Sequence, residues 1–506
     1  MRRGRIWLMG SALLALASGA QASTLITGAV VYDGSGGAGR HVSVRVDGDR
    51  ILAVGALRPR KGETVVHAHG RALAPGFIDS HSHHDRGAYA DRAMPPLLAQ
   101  GVTTIVIGQD GESDAPLADV AAKFAARPPA VNMASYTGHG WLRDTVLGKD
   151  FKRTATPAEV AKMQALLDAD MRAGSLGLST GLEYDPGIYS DHAELLALTR
   201  SAAASGGRYI SHMRNEDLTF DAALDELLDL GRQTGIPVQV SHIKLGLVDR
   251  WGDAPKVIAK LNAARAEGIK VTADVYPYEY WQSTLTVLFP KRDFTDITAA
   301  RFALTHLTTP EGMRLGVYAP NPAYVGKTIA DIAAERHEEP AATYLWLIQT
   351  AEAWKAAHPN GGRAEAVIGT AMSTKDVEDF VAWDQSNLCS DGMIGSRHPR
   401  GSGAFAKALR LYVHEHHRLT LGQAVRKLSA LSAEHVGLAG RGLIKPGYKA
   451  DLVLFDPATI ADKATVENPG ALAVGVSDVW VNGVPVWHKG RATGAYPGQF
   501  LRRGQN

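Results

Sequence analysis

Residues 76–85 read GFIDSHSHHD. A short apolar run leads straight into histidines, and His81 and His83 stand two positions apart. Alternate residues of a strand share a face, so two imidazoles in this spacing point the same way and can share one divalent ion. The pattern returns along the chain. RYISHMRNED (208–217) ends a predicted strand at His212, and PVQVSHIK (237–244) ends another at His242 and Lys244. NLCSDG (387–392) places Asp391, and TTIVIGQDGES (103–113) places Asp110. A lone histidine beside an apolar run is usually a satisfied core residue. Liganding side chains repeated at the C-terminal ends of strands are what a (β/α)8 barrel gathers at one rim.

The spacing of elements agrees. Candidate strands lie at 73–81, 102–108, 131–138, 176–182, 208–212, 237–243, 270–276 and 386–390, with helical stretches such as 157–173, 193–205 and 254–267 between them. Eight strands at βα intervals predict an α/β fold, a TIM barrel spanning 73–440 rather than an open doubly wound sheet. The interval before the eighth strand is too long for one helix and predicts an insertion near 286–345. Outside the barrel, 25–32, 42–54, 450–456 and 476–486 are short, β-branched and turn-punctuated, and Asn482-Gly483 reads as a hairpin turn. A small β-sandwich domain built from both chain ends, 23–72 and 441–506, is the expectation.

Composition narrows the function. Of 506 residues, 45% are hydrophobic and 21% charged, values of an ordinary globular protein. Residues 1–22 carry Arg2, Arg3 and Arg5 and no acid, then an apolar run, then Ala20-Gln21-Ala22. That is the pattern of a cleaved secretory signal, which predicts export to a periplasm or the cell exterior and no membrane attachment afterwards. The remainder has no basic surplus for neutralising phosphates, which argues against nucleic acid as a partner. The one cysteine, Cys389, permits no intrachain disulfide and reads as a small buried packing residue.

Histidine and carboxylate together suit zinc, or similar divalent ions such as manganese or cobalt, bound singly or as a pair. His81, His83, Asp110, His212, His242 and Asp391 are the candidate ligands. His139 and Arg143, ending the third strand in YTGHGWLR, have an open role, and the HEHHR tract with His414, His416 and His417 reads as an exposed helix.

These stretches are similar to the amidohydrolase superfamily, in particular its D-aminoacylase (N-acyl-D-amino-acid deacylase) branch. The similarity runs from about Gly28 to His488 and rests on PGFIDSHSHHD, GVTTIVIGQDG, GLSTGLEYDPG, SHMRNE, SHIK, DVYPY, SDGMIGSRHPRGSGAF and RGLIKPGYKADLVLFD. The SHxR and SHxK pair, GLxYxP and the HPR segment are the branch-specific ones. The resemblance implies a β-sandwich plus a metal-bearing barrel. It groups His81, His83 and Asp391 at one metal position and His212 and His242 at the other, joined by the residue ending the second strand. The branch usually has cysteine where Asp110 stands. Many other members use a carboxylated lysine on the fourth strand, and GLSTGLEY offers none.

What the resemblance implies chemically is amide hydrolysis by metal-activated water, on N-acyl-D-amino acids or dipeptides with a C-terminal D-residue. Asp391 would act as base and then acid. Tyr184 would add a hydroxyl at the oxyanion. Lys244, Tyr276, Ser283 and Arg400 would capture the free carboxylate of a small-molecule substrate. Glu183, the loop around Trp281 and the insertion would shape the remaining pockets. A cyclic-amide hydrolase or deaminase of the same superfamily, or a non-catalytic exported metal-binding protein, are the competing readings. Lys244 and Arg400 favour a substrate with a free carboxylate.

Overall fold

The computed structural model describes residues 23–505 apart from Ala115, so the secretory-signal pattern at 1–22 lies outside the described residues. The chain forms an α/β fold. Its centre is a set of parallel strands. One run is ordered Ser386–Leu388, Val271–Val275, Val238–Val240, Arg208–His212, Gly177–Gly181, Thr137–Gly138. A second is ordered Phe77–Asp79, Val102–Ile107, Asn132–Ser135. Only Tyr136 separates Asn132–Ser135 from Thr137–Gly138. At the other margin Ser82 bridges Gly392 in parallel, and Asp391 N–H donates to His81 C=O at 2.8 Å.

These strands are almost wholly buried because both faces are covered, although several, such as Gly177–Gly181 and Asn132–Ser135, carry small polar side chains. Val102–Ile107 and Gly177–Gly181 are buried at every position. Helices return the chain between strands. Pro157–Ala173 starts at a capping box of Thr156 and Glu159 and ends at Gly174, whose φ of 107° suits glycine.

The expected strand 73–81 is divided. Ala72–Pro75 belongs to a different sheet, and only Phe77–Asp79 joins the parallel set. Gly76 is the break: its N–H donates to Asp451 C=O at 2.8 Å, and a Cβ there would stand 2.3 Å from the Thr103 side chain. The boundary expected at 72/73 therefore falls near Gly76.

The other sheet has nine strands and uses both chain ends. Its order is Arg491–Ala492, Val484–His488, Val476–Val481, Leu452–Phe455, Ala72–Pro75, Thr24–Val31, Arg40–Asp47, Arg50–Gly55, with Thr64–His67 also on Thr24–Val31. Leu452–Phe455 runs antiparallel to Ala72–Pro75, Leu452 opposite Pro75 and Phe455 opposite Ala72. Ile26, Val44, Val46, Leu73, Leu452 and Leu454 fill its core. Asn482 and Gly483 form the expected hairpin turn, both at positive φ.

The insertion is longer than 286–345. It runs from Tyr280 to Thr370 around an antiparallel sheet ordered Tyr280–Ser283, Glu365–Thr370, Met313–Tyr318. It carries helices Ile297–Phe302, Ile329–Arg336 and Pro340–Ala357, and a separate core that includes Leu315, Tyr344, Leu347 and Val367. Among the described residues no helix is long and apolar enough to cross a membrane.

Candidate metal centre

The C-terminal ends of the parallel strands converge on one point. His81, His83, Asp110 and Asp391 each offer an atom within 4.8 Å of the others, and Asp110, His212 and His242 form a second such group. Asp110 belongs to both. Its Oδ2 lies 3.3 Å from His81 Nε2 and 3.2 Å from His83 Nε2, and its Oδ1 lies 3.5 Å from His242 Nε2. Asp391 Oδ1 is 3.3 Å from His83 Nε2. His212 Nδ1 and His242 Nε2 face each other at 3.0 Å. All six sequence-predicted ligands therefore meet, with the aspartate between the two sets.

Local backbone shape brings them there. Asp110, His242 and Asp391 are three of the few non-glycine residues at positive φ, at 54°, 33° and 48°. Each turns the chain sharply just past its strand, an uncommon conformation that tends to occur at functional sites.

The donor set fits one or two divalent ions. Four imidazoles and two carboxylates supply mixed nitrogen and oxygen ligands. Asp110 Oδ1 is buried and has no hydrogen-bond partner in the chain. His212 Nδ1 and His242 Nε2, 3.0 Å apart, can share one proton between them, and with both deprotonated the pair would present two nitrogen donors to a cation.

Charge is dense here. Burial works against protonating His83, but Asp110 and Asp391 beside it push its pKa up to about 9. Burial likewise opposes ionising Asp391, yet Arg400 and the surrounding histidines hold its carboxyl well below the usual range.

The residues expected to bind substrate have partners of their own. Lys244 is not a free cation: Nζ lies 2.6 Å from Glu216 Oε1 and 2.8 Å from His242 Nδ1. Arg400 Nη1 lies 2.6 Å from Asp391 Oδ2, with its guanidinium 4.9 Å from the Tyr276 ring centre. Tyr276 is buried and its hydroxyl has no hydrogen-bond partner. Tyr184 OH stands 3.3 Å from His212 Nδ1, and Ser283 Oγ stands 3.5 Å from Tyr184 OH. Tyr184, Tyr276, Ser283, Lys244 and Asp391 all line one inner pocket, and Arg400 lines the adjoining outer cleft.

Three acids beneath the site carry roles that sequence reasoning missed or left general. Glu216 joins Lys244 to His242. Glu183 Oε2 meets His212 Nε2 at 3.0 Å. Asp274 accepts the His242 backbone N–H at 2.6 Å and the Cys389 thiol at 3.3 Å. Asp274 does leave a signal, as a lone charge inside the buried strand Val271–Val275. Glu216 sits in a loop, where periodicity says nothing. Cys389 is buried as expected. His139 and Arg143 are fully buried around Glu194, at 2.7 and 2.5 Å, away from the ligands. His414, His416 and His417 are exposed and contribute to no ligand group among the described residues.

Comparison with known proteins gives a consistent result. A family model described as "Amidohydrolase family" matches residues 64–384 and 389–487. The chain is 35% identical to a D-aminoacylase of Alcaligenes xylosoxydans xylosoxydans, over 95% of this chain and 97% of that one. It is also 35% identical to an N-acyl-D-aspartate deacylase from the same source, over 96% of each. A solved structure of N-acyl-D-glutamate deacylase from Bordetella bronchiseptica, complexed with zinc and a phosphonate mimic of the tetrahedral intermediate, superposes with a TM-score of 0.84. It is 33% identical and covers 95% of this chain and 99% of that one.

Proposed function

This chain belongs to the amidohydrolase family, and on that premise we propose that it hydrolyses the amide bond of N-acyl-D-amino acids, or of dipeptides with a C-terminal D-residue, with zinc or a similar divalent ion held by His81, His83, Asp110, His212, His242 and Asp391. The observation that carries this reading is the position of Asp110 between the two ligand sets. We further read the ring of parallel strands as a (β/α)8 barrel. The split third strand and the Ser82–Gly392 bridge support closure. The nine-stranded sheet is read as a β-sandwich folded on Thr24–Val31, and residues 1–22 as an export signal that leaves the enzyme periplasmic or secreted.

Held by these six residues, a divalent ion would supply a water of lowered pKa and polarisation of the carbonyl oxygen. The chain supplies the rest. Asp391, kept ionised by Arg400, takes a proton from the water as its oxygen bonds to the amide carbon. As the C–N bond breaks, the same carboxyl hands that proton to the departing amine, leaving a carboxylate and a free amino acid. Tyr184, beside His212, donates its hydroxyl to the carbonyl oxygen as charge builds there. The substrate carboxylate is received by Arg400, the unpartnered Tyr276 hydroxyl, Ser283 and Lys244. Glu216 already neutralises Lys244, so Arg400 and Tyr276 take the larger share.

The test is to strip the protein with a chelator and restore zinc, cobalt or manganese. N-acetyl-D- and N-acetyl-L-amino acids are then assayed in parallel. Activity on the D-series that vanishes with chelation and returns with metal is the expected result. Chelator-insensitive hydrolysis, or none after restoration, rejects the reading.

A further inference from the structure

Arg400 opens the helix Arg400–Ala408, and the residue before it, Pro399, has no capping side chain. The first N–H of the helix is taken instead by an imidazole. Arg400 N–H donates to His398 Nδ1 at 3.1 Å. The other ring nitrogen, Nε2, lies 2.9 Å from the Tyr280 carbonyl oxygen. A carbonyl only accepts and a backbone N–H only donates. These two partners therefore assign the ring one form, neutral, with its proton on Nε2. Burial and the neighbouring Arg400 push the His398 pKa well below its ordinary value, in keeping with that form.

The same ring joins two distant parts of the chain. Tyr280 belongs to the insertion strand Tyr280–Ser283, as does Gln282. Gln282 Oε1 accepts the His398 N–H at 3.3 Å and the Ser396 hydroxyl at 2.5 Å. The rings of Tyr278 and Tyr280 pack against His398, with centres 5.2 and 4.8 Å away. His398 is 2% exposed and lines neither the inner pocket nor the outer cleft, so a substrate in either does not meet it. What it meets is Arg400, whose guanidinium lies 2.6 Å from Asp391 and 4.9 Å from the Tyr276 ring centre. A packing role would use the ring faces alone; here both nitrogens are engaged, one on each side.

We propose that His398 is a positioning residue for the hydrolysis: it sets Arg400 against Asp391 and the substrate carboxylate, and ties that setting to the insertion strand. This deepens the reading above and rests on it. Without the Nδ1 acceptor the first turn of the helix is free to shift, and with it a guanidinium that has to meet two carboxylates at once. A misplacement on the order of 1 Å at such a group can lower the rate by about 100-fold.

The experiment measures kcat/KM of the zinc-loaded enzyme on a panel of N-acetyl-D-amino acids for the parent, His398→Gln and His398→Asn. It then repeats His398→Gln in an Arg400→Met background. The Asn amide oxygen falls where Nδ1 stands and still accepts the Arg400 N–H. The Gln amide nitrogen falls where Nε2 stands and leaves that N–H without an acceptor. His398→Gln should lose roughly tenfold to 100-fold in kcat/KM, and His398→Asn should recover most of it. In the Arg400→Met background His398→Gln should lower kcat/KM no further, because it acts through Arg400. Equal losses in the Gln and Asn variants, folded or not by circular dichroism, mean that the ring only packs and overturn the inference while leaving the deacylase reading intact. A full further loss in the Arg400→Met background, or a His398→Gln variant as active as the parent, does the same. Turnover of no member of the panel by the metal-loaded parent rejects the deacylase reading, and this inference with it.

Discussion

His81 Nδ1 stands 3.5 Å from Asp274 Oδ1 at the buried floor of the metal centre. Asp274 cannot swing away, because it also receives the His242 backbone N–H and the Gln239 side-chain amide at 2.6 and 2.5 Å. Its carboxylate lies beside His81 Nδ1, which has no hydrogen-bond partner in the chain, while His81 Nε2 faces Asp110; a carboxylate so placed behind a liganding histidine would orient the ring. Asp274→Asn should weaken metal binding by about 10- to 100-fold. Chelator competition on metal-stripped protein reads this directly, with circular dichroism as the check on folding. Unchanged affinity would deny Asp274 that role.

Asp391 is both a candidate ligand and the candidate base. Asp391→Asn keeps an oxygen near the ions but cannot accept the water proton. Turnover should drop by about 10²- to 10⁴-fold while elemental analysis still finds metal in the protein. Near-normal turnover would move the base elsewhere.

Arg400 lies 2.6 Å from Asp391 and is the residue proposed to receive the substrate carboxylate. Arg400→Met should therefore raise KM for N-acyl amino acids and also lower kcat. A change in KM alone would mean that the contact with Asp391 has no catalytic weight. An unchanged KM would retire the carboxylate clamp.

Glu365 gives a pH signature independent of the metal. It is buried at the start of Glu365–Thr370 and accepts the Leu285 N–H at 2.8 Å. Burial pushes its pKa up from 4.5 to about 7. Between those values the folded chain holds a proton the unfolded chain has released, so stability falls as pH rises through this window. The loss is on the order of 3 kcal/mol, complete above about pH 7. Glu365→Gln should flatten that decline in urea unfolding midpoints measured from pH 4.5 to 8. A variant that declines as steeply as the parent rejects the assignment.

The convergence of the candidate ligands was legible because each stands at or just past the end of a strand, and strand periodicity tells which residues share a face. His81, His83, His212, His242, Asp110 and Asp391 needed only that rule and the expectation that parallel strands gather their C-terminal ends. The pairing of Lys244 with Glu216 was not legible, since Glu216 lies in an aperiodic loop and its partner is 28 residues away. The insertion was seen as a gap but drawn too short. Its return strand EAVIGT is a brief apolar run that pairs backwards across a long excursion. The run at 73–81 hid a change of sheet because hydrophobicity stays high on both sides of Gly76.

Leu452–Phe455 lies between Ala72–Pro75 and Val476–Val481, so the nine-stranded sheet is knitted from the first and last parts of the chain. During synthesis the early strands must wait, with Leu73 and its neighbours uncovered, until nearly the whole polypeptide has emerged. A product truncated before residue 452 would keep every candidate metal ligand and still present Ala72–Pro75 as a bare edge prone to self-association.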